Sequence, residues 1–388
     1  SGSAEGAPGE ARESAMRIGC PTEIKTREYR VGMTPATCRE AVAHGHEVLV
    51  HRGAGLGAGF ADAAYEAAGA RLADTAEEIF ATAGLIVKVK EPQPIERGML
   101  RVEQTLFTYL HLAPDPEQTR ELLASGCTAF AYETVTGPGG RLPLLAPMSE
   151  VAGRLAPQIG AWALQKPNGG RGVLLTGLPG VGPAVVTVIG GGTVGTNAAR
   201  VASGMGAEVT VLDRSLERLR ELEQVFAGRV GTRLSTVAAI EEEVARSDLV
   251  IGAVLVPGAA APKLLTRAQL GLMIQGAVLL DVAIDQGGCF ETSHPTTHDD
   301  PVYEVDSILH YAVANMPGAV ARSSTLALTQ ATLPFVLALA DKGWARAVLE
   351  DPHLAAGLNL HAGTLTCAAV GEALEIATTP AHEIAARA

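Results

Sequence analysis

Short apolar runs alternate with longer stretches of helical spacing along most of the chain. "RIGCPTE", "HEVLVHR", "LIVKVKE", "TLFTYLHL" and "TAFAYETV" have the length and composition of strands. Between them, "TPATCREAVAHG", "FADAAYEAAGA" and "PEQTRELLASG" place apolar residues at helical spacing and end near glycine. Such alternation predicts a parallel sheet covered on both faces. A long helix is expected in "APMSEVAGRLAPQIGAWALQ", with Ser149 as its N-cap, followed by the Gly/Pro-punctuated loop "KPNGGRGVLLTGLPGVGP". A second α/β unit then runs through "AVVTVIG", "EVTVLD", "DLVIGAVL", "GAVLLDVAID" and "HYAVANMPG". Beyond about Pro317 the pattern is helical, with no further strong strand expected. The fold class predicted is α/β: two doubly wound parallel-sheet lobes with a cleft between them, the second a Rossmann-type domain.

The second unit opens on "VTVIGGGTVGTNAARVASGMGAEVTVLD". Gly190, Gly192 and Gly195 form G-x-G-x-x-G, with Thr193 and Val194 inside the turn. The first glycine permits the tight turn, the second lets the backbone approach a pyrophosphate, and the third lets helix pack closely on strand. Phosphates would then sit on the helix N-terminus, where N–H groups lack partners. Taken alone the pattern is weak, since any turn needing positive φ uses glycine. Here a strand precedes it, a helix follows it, and Asp213 ends the next strand eighteen residues past Gly195. An acid there accepts hydrogen bonds from ribose hydroxyls and repels a 2′-phosphate, so a dinucleotide is expected, NAD rather than NADP. Arg214 beside it is read as a solvated loop charge.

Length and composition narrow the function. At 388 residues the chain is long enough for two domains, and 47% hydrophobic residues suffice for their cores. A net charge of -12 without a Lys/Arg block excludes the footprint of a nucleic-acid binder. No apolar run is expected to reach the roughly 18 residues that cross a bilayer. The small and polar residues 1–15 read as a flexible tail. The five cysteines are scattered, without a C-x-x-C pair, and read as reduced thiols of a cytoplasmic protein.

In open α/β sheets ligands lie beyond the carboxyl ends of the strands. The polar residues that end strands are Lys90 and His111 in the first lobe and Asp285 and Asn315 in the second, with Arg30 in the loop after the first strand. Position alone leaves each an ordinary alternative. A lone histidine at a strand end is commonly a packed or capped surface residue. Lys90 could snorkel from a strand end that is simply charged, with Lys88 and Glu91 nearby. Asp285 beside "QGG" could shape its loop as an Asx-turn residue. Glu133 in "AYETV" reads as a strand-end charge. "SHPTTHDD", with His294, His298, Asp299 and Asp300, has the composition of a metal cluster but reads better as a solvated turn.

At these residues the chain resembles the alanine dehydrogenase and pyridine nucleotide transhydrogenase family, from Met16 to about Thr379. The carriers include "PTEIKTREYRVGMTP", "VKVKEP", "TYLHLA", "LLAPMSEVAGR", "IGGGTVGTNAARVASGMGAEVTVLD", "LLDVAIDQGGCFETSHPTTHDDPVY" and "VANMPGAVARSSTLALT". "TYLHLA" and "DVAIDQGG" favour the dehydrogenase within that group. The resemblance implies that Arg30 and Lys90 hold a substrate carboxylate and that His111 and Asp285 are the acid/base pair. It places Ser149, the Gly190 to Gly195 turn, Asp213, Arg218, Ser235, Val254, Asn315 and Met316 against NAD. It implies a substrate domain from 16–143 with 322–388, a nucleotide domain from 144–321, and a homo-oligomer, a hexamer. The activity implied is reversible NAD-dependent deamination of L-alanine to pyruvate and ammonia, with no metal. Two alternatives stand beside it: a related dehydrogenase of a bulkier amino acid, of saccharopine type, and a non-catalytic transhydrogenase-like module that needs neither His111 nor Asp285.

The residues suit that chemistry independently of the name. An Arg fork with a Lys charge fixes a carboxylate and orients the Cα hydrogen. Addition of water and loss of ammonia need proton transfer, for which imidazole is suited near neutral pH.

Overall fold

The computed structural model describes residues 15–254 and 261–388, which form two compact units. One runs to Pro147 and resumes over Ala321–Ala388; the other is Met148–Val320. All but the last residue of the expected 1–15 tail lies outside the described residues.

The first unit contains β1 (Arg17–Cys20), β2 (Glu47–His51), β3 (Arg71–Ala73), β4 (Leu85–Val87), β5 (Thr105–Thr108) and β6 (Thr128–Ala131), all parallel to their neighbours. Every residue of β4, β5 and β6 is buried, as expected of strands covered by helices on both faces. Phe107 meets Phe130 and Tyr132 edge-on, with centroids 6.4 and 4.4 Å away. The flanking helices start on caps written locally: Thr34 accepts from the Thr37 N–H, and Asp115 from the Gln118 N–H.

The second unit contains β7 (Val185–Ile189), β8 (Glu208–Asp213), β9 (Gly231–Leu234), β10 (Leu249–Gly252), β11 (Val278–Asp281), β12 (Val302–Val305) and β13 (Ile308–Tyr311). Their order is β12-β13-β11-β10-β7-β8-β9, parallel except for β12 against β13. Strand order reverses at β7, so the crevice beyond its carboxyl end is the ligand position of such a sheet. The helix Ala146–Ala163 presents small residues to it: a Cβ on Gly153 would collide with the Val194 carbonyl, and one on Gly160 with Leu249. That helix begins at Ala146, so Ser149 lies within its first turn and is not the expected N-cap.

The C-terminal stretch differs from expectation. It adds β14 (Leu358–His361) and β15 (Thr364–Leu365) to the first sheet, whose order is β15-β14-β6-β5-β4-β1-β2-β3. β14 runs antiparallel to β6 and buries Leu358 and Leu360. Each is too short to declare itself without its partner strand. The expectation about apolar runs is also corrected, since Met316–Glu350 contains an 18-residue window of mean hydropathy 1.4. Its helix carries Pro334, breaks at Gly343 with φ 70°, and buries Ser324, Thr325, Thr329 and Thr332 inside the first unit. These features fit a core helix.

Candidate functional site

Topology gathers the candidates of the first unit at one edge of its sheet. β1, β4, β5 and β6 are consecutive neighbours, and Arg30, Lys90, His111 and Glu133 follow their respective carboxyl ends. Four segments distant in sequence thereby deliver two cations, an imidazole and a carboxylate to one rim.

Arg30 is buried and forked onto Glu28, with Nε and one terminal nitrogen each 2.6 Å from a different carboxylate oxygen. Burial opposes both charges, but the pairing prevails: Glu28 is held below the usual carboxylate range and Arg30 above its ordinary value. Arg30 is thus fixed and charged before any substrate arrives.

Lys90 has its N–H on Glu23 at 3.3 Å and its carbonyl on the Thr108 hydroxyl at 2.8 Å. Lys88, expected to be one of several surface charges, is instead 1% exposed and paired with Glu23 at 3.2 Å and Glu96 at 2.7 Å. Burial works against its charge, and the two carboxylates outweigh burial and raise its pKa. Glu23 also accepts the Val89 N–H at 2.6 Å, so this buried triad sets the path of the backbone that carries Lys90.

His111 lies three residues past β5 in the left-handed region, with φ 49°, and its ring stacks parallel to Tyr109 at 5.8 Å. The Tyr109 hydroxyl donates to the Leu144 carbonyl at 2.6 Å. Glu133 accepts the backbone N–H of His111 at 2.6 Å and that of Leu110 at 3.2 Å. It therefore does more than charge a strand end.

In the second unit the glycine turn has the conformation the pattern demands. Gly190 has φ 105°, and a Cβ there would meet the Ala253 carbonyl at 2.7 Å and Val254 at 2.9 Å. A Cβ on Gly195 would strike the Gly190 carbonyl, whereas one on Gly192 meets no described atom within 4 Å. Gly192 caps the helix Thr193–Gly204, so open space lies over its N–H groups. The Asp213 carboxylate accepts from the Gly191 N–H at 2.7 Å and the Ser215 N–H at 2.8 Å. Each oxygen keeps acceptor capacity for a hydroxyl. Arg218 braces the turn, donating to the Gly191 carbonyl and the Thr196 hydroxyl, both at 2.7 Å. Ser235 follows β9 and donates its N–H to the Asp213 carbonyl at 2.8 Å. Val254 follows β10, and Asn315, at φ 60°, and buried Met316 follow β13. These donors, the carboxylate and the open cradle fit a dinucleotide.

Asp285 is exposed on the short turn Ile284–Gln286 after β11. The loop is shaped by Asp281, which sequence reasoning passed over. Buried Asp281 accepts from Ser293 Oγ at 2.6 Å and from the N–H groups of Cys289, Ala283 and Phe290 at 2.8, 3.1 and 3.3 Å. Lys263 clamps the same loop through the carbonyls of Gly287 and Gly288, at 2.5 and 2.9 Å. Asp281 closes a strand in "LLD", a signal the sequence did contain. Glu28, Glu23 and Glu133 gave none, because their partners are set by strand order.

No group of three or more metal-ligating side chains occurs among the described residues, and in "SHPTTHDD" His294 stacks on Tyr303 at 3.7 Å. Burial raises the Cys20 and Cys289 thiols to about 12 and Cys127 to about 11, so none of these is a poised thiolate.

The model of the alanine dehydrogenase/PNT N-terminal domain matches residues 19–152, and that of the C-terminal domain matches 156–368. The chain is 63% identical to an alanine dehydrogenase of Halomonas elongata over 92% of this chain and 96% of that one. It is 55% identical to an alanine dehydrogenase of Mycolicibacterium smegmatis over 96% of this chain and all of that one. Among solved structures, an L-alanine dehydrogenase superposes with TM-score 0.91 at 50% identity, covering 93% of this chain and 99% of that chain. A transhydrogenase from Sinorhizobium meliloti gives 0.79 at 25% identity, covering 91% and 99%. With both domain models matched in order along one chain, this protein belongs to the alanine dehydrogenase/PNT family.

Proposed function

We infer that this chain is an NAD-dependent alanine dehydrogenase, converting L-alanine reversibly to pyruvate and ammonia. The observation that carries the substrate is the whole-length likeness to alanine dehydrogenases; the row of strand ends supplies the chemistry. Arg30, held rigid by Glu28, and Lys90 bind the carboxylate and orient the Cα hydrogen. His111 takes and returns the protons that addition of water and departure of ammonia require. Asp285 holds the water or the ammonium. When bound, NAD supplies the hydride acceptor, and the Gly190 to Gly195 turn, Asp213, Ser149, Ser235, Val254, Asn315 and Met316 hold it, with Arg218 bracing the turn. The carboxylate of Asp213 favours NAD over its 2′-phosphorylated counterpart. A homo-oligomer, a hexamer as the family resemblance implies, and a cytoplasmic setting, in keeping with five free thiols, belong to the same proposal.

The test is NADH absorbance with pyruvate and ammonium, for the wild type, for His111→Ala and with NADPH in place of NADH. Oxidation that needs both substrates, is lost in the variant and is slow with NADPH is expected. NADH binding without turnover would reject the alanine assignment and favour the transhydrogenase-like module. Turnover only with a bulkier 2-oxo acid would favour the saccharopine-type reading.

A further inference from the structure

We propose that Glu133 is the positioning residue of His111: it holds the backbone and accepts a hydrogen bond from Nδ1–H, so that Nε2 is the ring nitrogen that exchanges protons with substrate. The proposal rests on the role given to His111 above, but its structural part stands apart from turnover.

Four observations converge. His111 occupies the left-handed region at φ 49°, which a non-glycine residue keeps only when its surroundings dictate it. Those surroundings are Glu133, which accepts the N–H of His111 at 2.6 Å and of Leu110 at 3.2 Å, and Gln118, whose amide donates to the Leu110 carbonyl at 2.6 Å. Both sides of the peptide before the imidazole are therefore tied. Oε1 of the same carboxylate lies 3.8 Å from Nδ1 of the ring, outside hydrogen-bond distance but within reach of a small swing of the side chain. Finally, Tyr109 stacks parallel to the ring within 3° and is itself anchored on the Leu144 carbonyl, which confines that swing to the ring plane.

A carboxylate offers about four acceptor sites, so two backbone N–H groups leave room for Nδ1–H. Neutral imidazole carries one N–H. Donation of Nδ1–H to Glu133 leaves the lone pair on Nε2, which can take a proton and give it back. A carboxylate also stabilises the imidazolium formed in between, the same division of labour by which an acid orients a catalytic histidine elsewhere. His111 is 45% exposed at its side chain while Glu133 is 18% exposed, so Glu133 forms the inner, fixed member of the pair.

The test pairs a spectrum with kinetics. In protein labelled with 15N at histidine, the His111 ring signals are identified by their loss in His111→Ala. The wild type is expected to carry the proton of the neutral ring on Nδ1. Glu133→Gln keeps an oxygen for the two backbone N–H groups but removes the charge. It is expected to fold, to shift the ring toward the Nε2–H form, and to lower kcat about tenfold or more, with KM for pyruvate and NADH affinity changed less than about threefold. A wild-type ring protonated on Nε2, or a Glu133→Gln enzyme with unchanged kcat, would overturn the proposal. Glu133→Asp, with a shorter reach, should recover less kcat than wild type and more than Gln. If wild-type protein showed no turnover, the functional reading would fail while the ring spectrum still decided the pairing.

Discussion

Gly192→Ala separates what the glycine turn does for the fold from what it does for the cofactor. Gly192 has φ −66° and ψ −162°, a conformation open to alanine, and the added Cβ meets no described atom within 4 Å. The cost to the fold is that of changing an N-cap glycine to alanine, roughly 0.5–1 kcal/mol. In a domain of this size that lowers Tm by no more than about 4 °C. With NAD held as proposed, the cost to binding is larger, because the Cβ would stand where the pyrophosphate approaches the first N–H groups of the helix Thr193–Gly204. Loss of one charge-assisted hydrogen bond, worth roughly 1.5–3 kcal/mol, corresponds to about a tenfold to 150-fold rise in Kd. Titration of NADH fluorescence, beside a thermal melt, reads both quantities. Gly195→Ala is the control: its Cβ falls on the Gly190 carbonyl, so the turn must open and stability and binding should fall together. A Gly192→Ala protein that bound NADH within threefold of wild type would refute the placement of the pyrophosphate, and one that failed to fold would refute the open space.

Glu28→Gln leaves Arg30 as a buried charge without its counter-ion, so urea unfolding at pH 7 should show a loss of roughly 3–5 kcal/mol. Because pairing lowers the Glu28 pKa from 4.5, the wild type owes stability to the ionised form above that value and loses it as pH falls through the lower folded-state pKa. The gap between variant and wild type should therefore narrow at acid pH; a gap independent of pH would reject the ion pair as its cause. Asp281→Asn removes the charge and leaves one acceptor oxygen where two had served four donors, one on Oδ1 and three on Oδ2, and we expect destabilisation of roughly 2–4 kcal/mol with lowered kcat, since the loop of Asp285 loses its centre. Wild-type melting together with wild-type kcat would show that the loop holds itself.

The sequence by itself determined the local features. Apolar periodicity specified the βα alternation and the glycine spacing specified the turn after β7, because each of these is set by neighbours within a few residues. The strand-end rule and the family resemblance singled out Arg30, Lys90 and His111 before any of them had a partner. Only the tertiary structure decided who those partners are. The order β6-β5-β4-β1 puts Glu133 under His111, and Glu23 and Glu96 around Lys88, pairings separated by up to 65 residues that no period in the sequence encodes. The same holds for β14, whose four residues become a strand by lying against β6, and for the expected cap at Ser149, overruled when the helix began at Ala146. Local propensity is a matter of bonds along the chain, whereas the charge state and orientation of a buried group depend on whatever the packed sheet brings within about 4 Å of it.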